Sequence, residues 1–343
     1  MVDSGVKAQR PSVWHELFEH GPIWFVFLIG IAVMHYEAAN VPPENFTAAG
    51  HEKWRFLLTA LIPFSWVLIY YFFRVRDAVV LKNRRRAHAL ISLWILGFPL
   101  LLYLVSRPKY LPEKQLVMLY EYTQFLWLAL MVLHAWFTRG AAQTVLFFGV
   151  CFLYGMGLEN MGIIIGFFGE SQYQLYLGLS PSVYLPAPVA TQVGWCIMFY
   201  ISIRIAEYVG GKLPWLRKRP LGLALLTAFI AVTIDLQIDP LASLSGLWWR
   251  WDHRLPAWFL GVPFLNFVAW FTAFLPFSFA YFFYARQPQL TDWQRTYRIL
   301  VRTPWMLPAC VLLGAPFIII NEGGWSGPAF QIAFEFLRKV MTY

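Results

Sequence analysis

Apolar runs of about twenty residues follow one another along almost the whole chain, each near the length that crosses a bilayer as a helix. In hydrocarbon no water can satisfy the backbone, so each run must close its own hydrogen bonds within a helix. Spans are expected at about residues 22–36, 55–73, 88–105, 117–137, 141–158, 187–208, 220–239, 261–284 and 303–320. Composition agrees, because 59% of residues are apolar and only 13% are charged, far from the usual soluble domain. The expected fold class is all-α, a polytopic transmembrane helical bundle of about eight to nine spans forming one integral membrane domain over residues 1–343.

The formal charge of +9 does not point to nucleic acid, because Lys and Arg sit in short loops between the apolar runs. There they set orientation in the bilayer. The side that holds Lys7, Arg10, the cluster Arg74 to Arg86, Lys212 to Arg219 and Arg286 to Arg302 is the more basic, which places the N-terminus in the cytoplasm. The first apolar run begins only near Pro22 and is not preceded by a signal-peptide pattern, so it is expected to stay attached. The expected location is the cytoplasmic (inner) membrane of a bacterium. Cys151, Cys196 and Cys310 lie in apolar runs without metal or redox spacing and are read as small buried hydrophobes.

The chemistry-bearing stretch is Ile234 to Trp270. Asp235 and Asp239 stand four residues apart at the end of an apolar helix, so they share one helical face, and Pro240 is expected to stop the turn after them. An ionisable group inside a span costs a few kcal/mol on insertion scales and usually faces a protein interior or a wet cavity. Two carboxyls this close disfavour a double charge, so one can hold a proton while the other stays ionised. The bland alternative is a polar patch at a helix end, with Asp239 wetted by the interface and Asp235 bonded to a neighbouring helix. After the acids come Trp248, Trp249, Trp251, Asp252 and His253, then a second apolar helix with Asn266 and Trp270.

Other polar residues interrupt apolar runs. Glu159 with Asn160 breaks the run from Val145 to Phe168 and needs a partner or a function. Glu121 sits in polar surroundings where interhelical hydrogen bonding would suffice. With the expected topology, Glu121, Glu159, Gln192, Asp235, Asp239 and Asn266 all lie toward one side of the membrane, where they can share a site. Tyr173, Tyr176, Tyr184, Trp248, Trp249 and Trp251 collect there too, although an aromatic belt forms at a membrane interface without any ligand. Arg204 and Glu207 lie toward the other side, where they can snorkel or pair locally, and are read as structural. His253 is a loop histidine, usually solvated.

Two hairpins echo each other. Glu159 precedes Trp195 much as Asp235 precedes Trp270, each Trp has a Pro seven positions earlier (Pro188, Pro263), and an amide (Gln192, Asn266) lies between. Two readings are open, a parallel duplication and a chance match, since only a few positions agree. The tail over residues 326–343 can place Phe330, Ile332, Phe336 and Val340 on one face and reads as an interfacial helix. No Walker loop, GxGxxG, GxSxG or HExxH is present, and the histidines are scattered, which favours chemistry without metal or nucleotide.

Asp235, Asp239-Pro240, Trp249, Trp251, Gly261-Val262-Pro263, Asn266-Phe267 and Trp270 together resemble the carotenoid biosynthesis membrane protein family, whose characterised members are carotenoid hydratases. Leu158-Glu159, Gly162, Gly166 and the prolines before Trp195 add to the likeness, which covers about residues 145–285. The chain departs from the family in Ile165-Gly166 where Thr-Gly is common and in Ala269 where Gly is. The resemblance implies addition of water across a terminal C=C of a linear or monocyclic carotenoid, with Asp239 or Asp235 as acid and Glu159 orienting water. Tyr173, Gln192, Trp195, Trp249, Trp251, Asn266 and Trp270 would contact substrate. It implies no metal and no cofactor, only a hydrophobic polyene, water and the lipid bilayer, with other carotenoid biosynthesis enzymes as possible partners. The competing reading is a non-enzymatic transporter or binding subunit for a lipid or isoprenoid, in which the acids conduct protons or fix helix packing.

Overall fold

The computed structural model describes Gly21 and residues 113–165, 170–173, 187–245, 249–252, 254–259 and 261–342. The spans expected at 22–36, 55–73 and 88–105 lie outside the described residues. What is described is mostly helical. Helix α1 is Glu113–Arg139; α2 starts as Ala141–Val145, widens to a π turn over Leu146–Val150 and continues over Cys151–Ile165; α3 is Val189–Lys212. After the short α4 (Pro214–Arg217) come α5 (Pro220–Ser245), α6 (Phe264–Ala285), α7 (Asp292–Leu300), α8 (Thr303–Glu322) and α9 (Pro328–Met341). Among the described residues four helical stretches are long and apolar enough to cross a membrane: Ala141–Ile163, Val189–Lys212, Phe264–Ala285 and Thr303–Glu322.

Helix α5 departs from expectation at Pro240. It does not stop there but runs on to Ser245. A proline ends a soluble helix by removing a donor, whereas in an apolar bundle neighbouring groups can satisfy the carbonyl it frees. Pro276 in α6 and Pro308 and Pro316 in α8 also lie inside helices. All-helical reading also leaves out two short antiparallel pairs in the loops at the acid-bearing end. Strand β1 (Glu170–Tyr173) pairs with β2 (Trp249–Trp251), and β3 (Ala257–Phe259) pairs with β4 (Val262–Pro263). The first pair joins the loop after α2 to the loop after α5, so the two hairpins share one cap.

Helix α3 is the axis of the bundle. It packs against α1, α2 and α5, while α6 packs against α5 and α8. A helix apolar all round belongs in an interior, and α3 buries residues on every face from Ala190 to Tyr208. Close approach depends on small residues, as is usual where lipid supplies no hydrophobic drive between helices. A Cβ on Gly155 would sit 2.7 Å from the Trp195 Cβ, and one on Gly314 would sit 3.2 Å from Val268. Cys151, Cys196 and Cys310 are free and buried, as expected of small hydrophobes.

The end of the bundle away from the cap is tied by a polar knot. Glu207 accepts from Arg139 Nη2 at 3.0 Å, from Arg204 and from the Tyr281 hydroxyl at 2.6 Å, so one carboxylate joins α1, α3 and α6. His134 Nδ1 meets the Tyr200 hydroxyl at 2.7 Å and adds a second polar link between α1 and α3. Arg204 and Glu207 thus pair locally, as the sequence suggests, but Arg204 is buried rather than stretched to the surface.

The tight α2–α3 contact makes a prediction. Ala at Gly155 places a methyl against the fixed base of Trp195, and overpacking of this kind costs about 1–3 kcal/mol. Gly155→Ala should lower the midpoint of thermal unfolding in detergent, whereas Gly211→Ala, with nothing within 4 Å, should unfold within a degree or so of the parent on the scale of surface substitutions.

Candidate active site

Four helices deliver the polar groups. Helix α2 brings Glu159, α3 brings Gln192 and Trp195, α5 brings Asp235 and Asp239, and α6 brings Asn266 and Trp270. Glu159, Asp235, Asp239 and Asn266 are each less than 5% exposed. A buried carboxyl without a partner is too costly to persist, so the hydrogen bonds decide what this cluster is.

Asn266 stands between the two aspartates. Its Nδ2 donates to Asp235 Oδ2 at 2.9 Å and also to Asp239 Oδ2, in a shorter contact. Residues at i and i+4 lie one above the other on a helix, so a single amide with two N–H donors can serve both. Pro263, with φ −67° and ψ 148°, is the N-cap of α6, which puts Asn266 in the first turn. The positive end of that helix dipole adds to the attraction for carboxylate charge. The local reason is legible in the residues: Gly261 at φ 85° turns the chain, Pro263 starts the helix, and Asn266 follows three residues on.

Glu159 is held from another direction. The Trp195 indole Nε1–H donates to Glu159 Oε2 at 2.6 Å. The Trp195 ring stacks on Trp270 with centroids 4.9 Å apart, and Phe199, one turn on, stacks on Phe274 at 4.0 Å. Trp270 in turn stacks on Phe274 at 5.7 Å. A column of aromatic faces therefore runs from the carboxyls into the bundle and spans α3 and α6.

The two hairpins match at this column. Pro188, with φ −69° and ψ 152°, caps α3 as Pro263 caps α6, and the Trp seven residues after each proline meets the other ring on ring. The amides do not match. Gln192 is buried and its Nε2 reaches the Pro188 carbonyl at 3.4 Å, one turn back in its own helix, while its expected counterpart Asn266 binds the acids. Asn160 likewise works locally: its Nδ2 donates to the Met156 carbonyl and its Oδ1 accepts from Ala187 N–H, fixing the approach to α3.

The cap brings other candidates together. Tyr173 and Trp249 are direct partners across β1 and β2, and Trp251 pairs with Glu170. Asp252 accepts from Arg254 in a two-point contact, with Nη2 to Oδ2 at 2.8 Å, and Arg254 Nη1 reaches Glu335 of α9 at 2.9 Å. The paired carboxylates hold the Arg254 pKa well above its ordinary value. Glu121 lies on α1, with its side chain outside the described set, and Tyr176, Tyr184, Trp248 and His253 lie outside the described residues. Among the described residues no group of three or more His, Cys, Asp or Glu side chains could hold a metal ion. Two links escape sequence reasoning, the Trp195 to Glu159 bond and the pairing of the two loops, although the matched Pro-to-Trp spacing marks Trp195.

A helical bundle with apolar spans and buried carboxyls in contact with an aromatic column is a membrane protein with an internal polar site. The family model described as carotenoid biosynthesis protein matches residues 120–320, more than half of the chain, and the chain belongs to that family. The match takes in the helices from α2 to α7, α8 as far as Ile320 and most of α1, together with both cap pairs. No curated protein and no solved structure matches the chain.

The double role of Asn266 is measurable. Asn266→Leu leaves two buried carboxyls without their shared donor, at a cost of about 1–3 kcal/mol. Adding Asp239→Asn should recover part of that loss, so a double-mutant cycle by thermal unfolding in detergent should give a coupling of at least about 0.5 kcal/mol between the two positions. Strict additivity would mean that the contact carries no stability.

Proposed function

We propose that the chain is a carotenoid hydratase that adds water across a terminal trisubstituted C=C of a linear or monocyclic carotenoid. Membership of a carotenoid biosynthesis family supports a hydrophobic isoprenoid substrate. The observation that carries the reaction is the convergence of Asp235 and Asp239 on one Asn266 amide, with a third carboxyl on the facing hairpin.

Two carboxyls around one neutral donor in an apolar bundle cannot both be ionised cheaply, so one keeps a proton. That proton adds to the terminal alkene: the π electrons form the new C–H bond and leave a tertiary carbocation on the neighbouring carbon. In this reading the ionised partner stabilises the positive charge, aided by the π systems of Trp195, whose N–H binds Glu159, and of Trp270, stacked on Trp195. Water then forms the C–O bond to the cation and gives up a proton to a carboxylate, which restores the starting protonation. Net addition is one water, and no electrons are gained or lost.

In this reading Asp235 and Asp239 form the acid pair, Asn266 sets which oxygens face each other, and Glu159, fixed by the Trp195 N–H, orients the water. Tyr173, Trp249 and Trp251 on the cap and Gln192 on α3 complete the surroundings of the end group. Glu159 and Trp195 act as a unit because the indole N–H fixes one carboxylate oxygen and so sets the plane in which the carboxyl meets water.

The test is expression in a host that accumulates lycopene and gamma-carotene, with the extracted pigments separated by chromatography and weighed by mass spectrometry. A product heavier by one water is expected from the parent chain. Asp239→Asn, Asp235→Asn and Glu159→Gln should each lower its yield by about a hundredfold or more, the range of a lost general acid or base, while the protein still inserts in the membrane. Parental yields from all three variants would sink the assignment.

A further inference from the structure

Helix α9 is buried over its first turns and carries an apolar and a charged side beyond them. Ala329, Phe330 and Ile332 are buried, and the helix packs on α2, which carries Glu159. Phe334, Leu337 and Met341 recur at spacings of three and four, so they form one stripe, and all three are exposed, Met341 by 77%. Gln331, Glu335, Arg338 and Lys339 are exposed on the remaining side. An apolar stripe bounded by charged residues on one helix is the pattern of a segment lying in the plane of a bilayer surface.

The occupant of the stripe follows from the element before it. Helix α8 is long and apolar enough to cross a membrane and exposes Leu312, Phe317 and Ile320. Gly323 and Gly324, at φ 75° and 136°, then redirect the chain, and Glu322 Oε2 accepts from Ala329 N–H at 3.1 Å to close the turn. Trp325, in that turn, is exposed and rests on Phe330 with ring centroids 4.8 Å apart. Tryptophan prefers the depth of the lipid headgroups. The apolar surface of α8 therefore leads through an interface-seeking ring into the stripe of α9, and lipid covers both.

We propose that α9 lies in the lipid–water interface, with Phe334, Leu337 and Met341 among the upper acyl chains, and that it holds the strand cap at headgroup level. The hold is the contact from Arg254 at the end of the cap to Glu335 on the polar side of α9. Asp252 keeps the Arg254 guanidinium aimed, through its own 2.8 Å contact. The carboxyl cluster then lies just beneath the headgroups, at a depth that the end of a polyene dissolved in the bilayer can reach.

The experiment places a nitroxide label on single cysteines introduced in the full chain, reconstituted in vesicles of phosphatidylethanolamine and phosphatidylglycerol. The native cysteines are buried, and the parent chain treated with label is the control. Power saturation with oxygen, which concentrates in lipid, is compared with a water-soluble nickel chelate. Labels at Leu337→Cys and Met341→Cys should favour oxygen several-fold, and labels at Gln331→Cys and Lys339→Cys should favour nickel. Preference for nickel at all positions would put α9 in water, preference for oxygen at all would sink it in hydrocarbon, and shielding of 337 and 341 from both would mean that another protein surface covers the stripe. Each of those results overturns the proposal, and none depends on whether the chain hydrates carotenoids.

Discussion

A carboxyl inside an apolar bundle must find a hydrogen-bond donor to persist there. Most of what distinguishes this chain from a plain set of apolar helices follows from that requirement. Three acids lie at one end, and each is answered by a donor from a different helix: Asn266 for Asp235 and Asp239, Trp195 for Glu159. A fourth, Glu207, is answered at the other end by Arg139, Arg204 and Tyr281. The difference in partners separates their roles. Glu207 is neutralised by guanidinium groups and works as a tie between α1, α3 and α6. Asn266 and Trp195, which donate to the three acids near the cap, are neutral, and a neutral donor orients a carboxyl without cancelling its charge.

The aromatic column joins these acids to the packing of the bundle. Trp195 serves twice, through its N–H on Glu159 and its face on Trp270, so the ring that positions an acid also fixes the spacing of α3 and α6. Edge and face of one side chain meet two different needs, a use for which tryptophan is suited because its polar edge and apolar face can be satisfied at once. The matched stacking of Trp195 on Trp270 and of Phe199 on Phe274 places corresponding positions of the two hairpins against each other. That arrangement is what a duplicated unit related by an axis along the bundle would give. The amides break the match, since only Asn266 reaches the acids while Gln192 bonds within its own helix.

Much of the fold and part of the candidate site are legible in the amino-acid sequence. Apolar length locates the spans over 141–158, 187–208, 261–284 and 303–320, because the helix they form closes its backbone locally and needs no partner to be recognised. The four-residue spacing of Asp235 and Asp239 puts them on one face for the same local reason. Pro240 misleads, since its effect depends on what neighbours can offer the freed carbonyl. The cap strands are illegible, because pairing of Tyr173 with Trp249 joins loops that are far apart in sequence and individually too short to show a period.

What the amino-acid order determined by itself is the medium and the local placement: a chain that lives in lipid, with acids set on known faces and prolines at the starts of α3 and α6. Which donor meets which acid was decided only by tertiary structure. Asn266 lies 31 residues from Asp235 and Trp195 lies 36 from Glu159, and in each case the contact exists because a second helix is rotated to present that side chain. Rotation about a helix axis is set by packing on neighbours, here by small residues such as Gly155 and by the stacked rings, and no spacing within one helix encodes it.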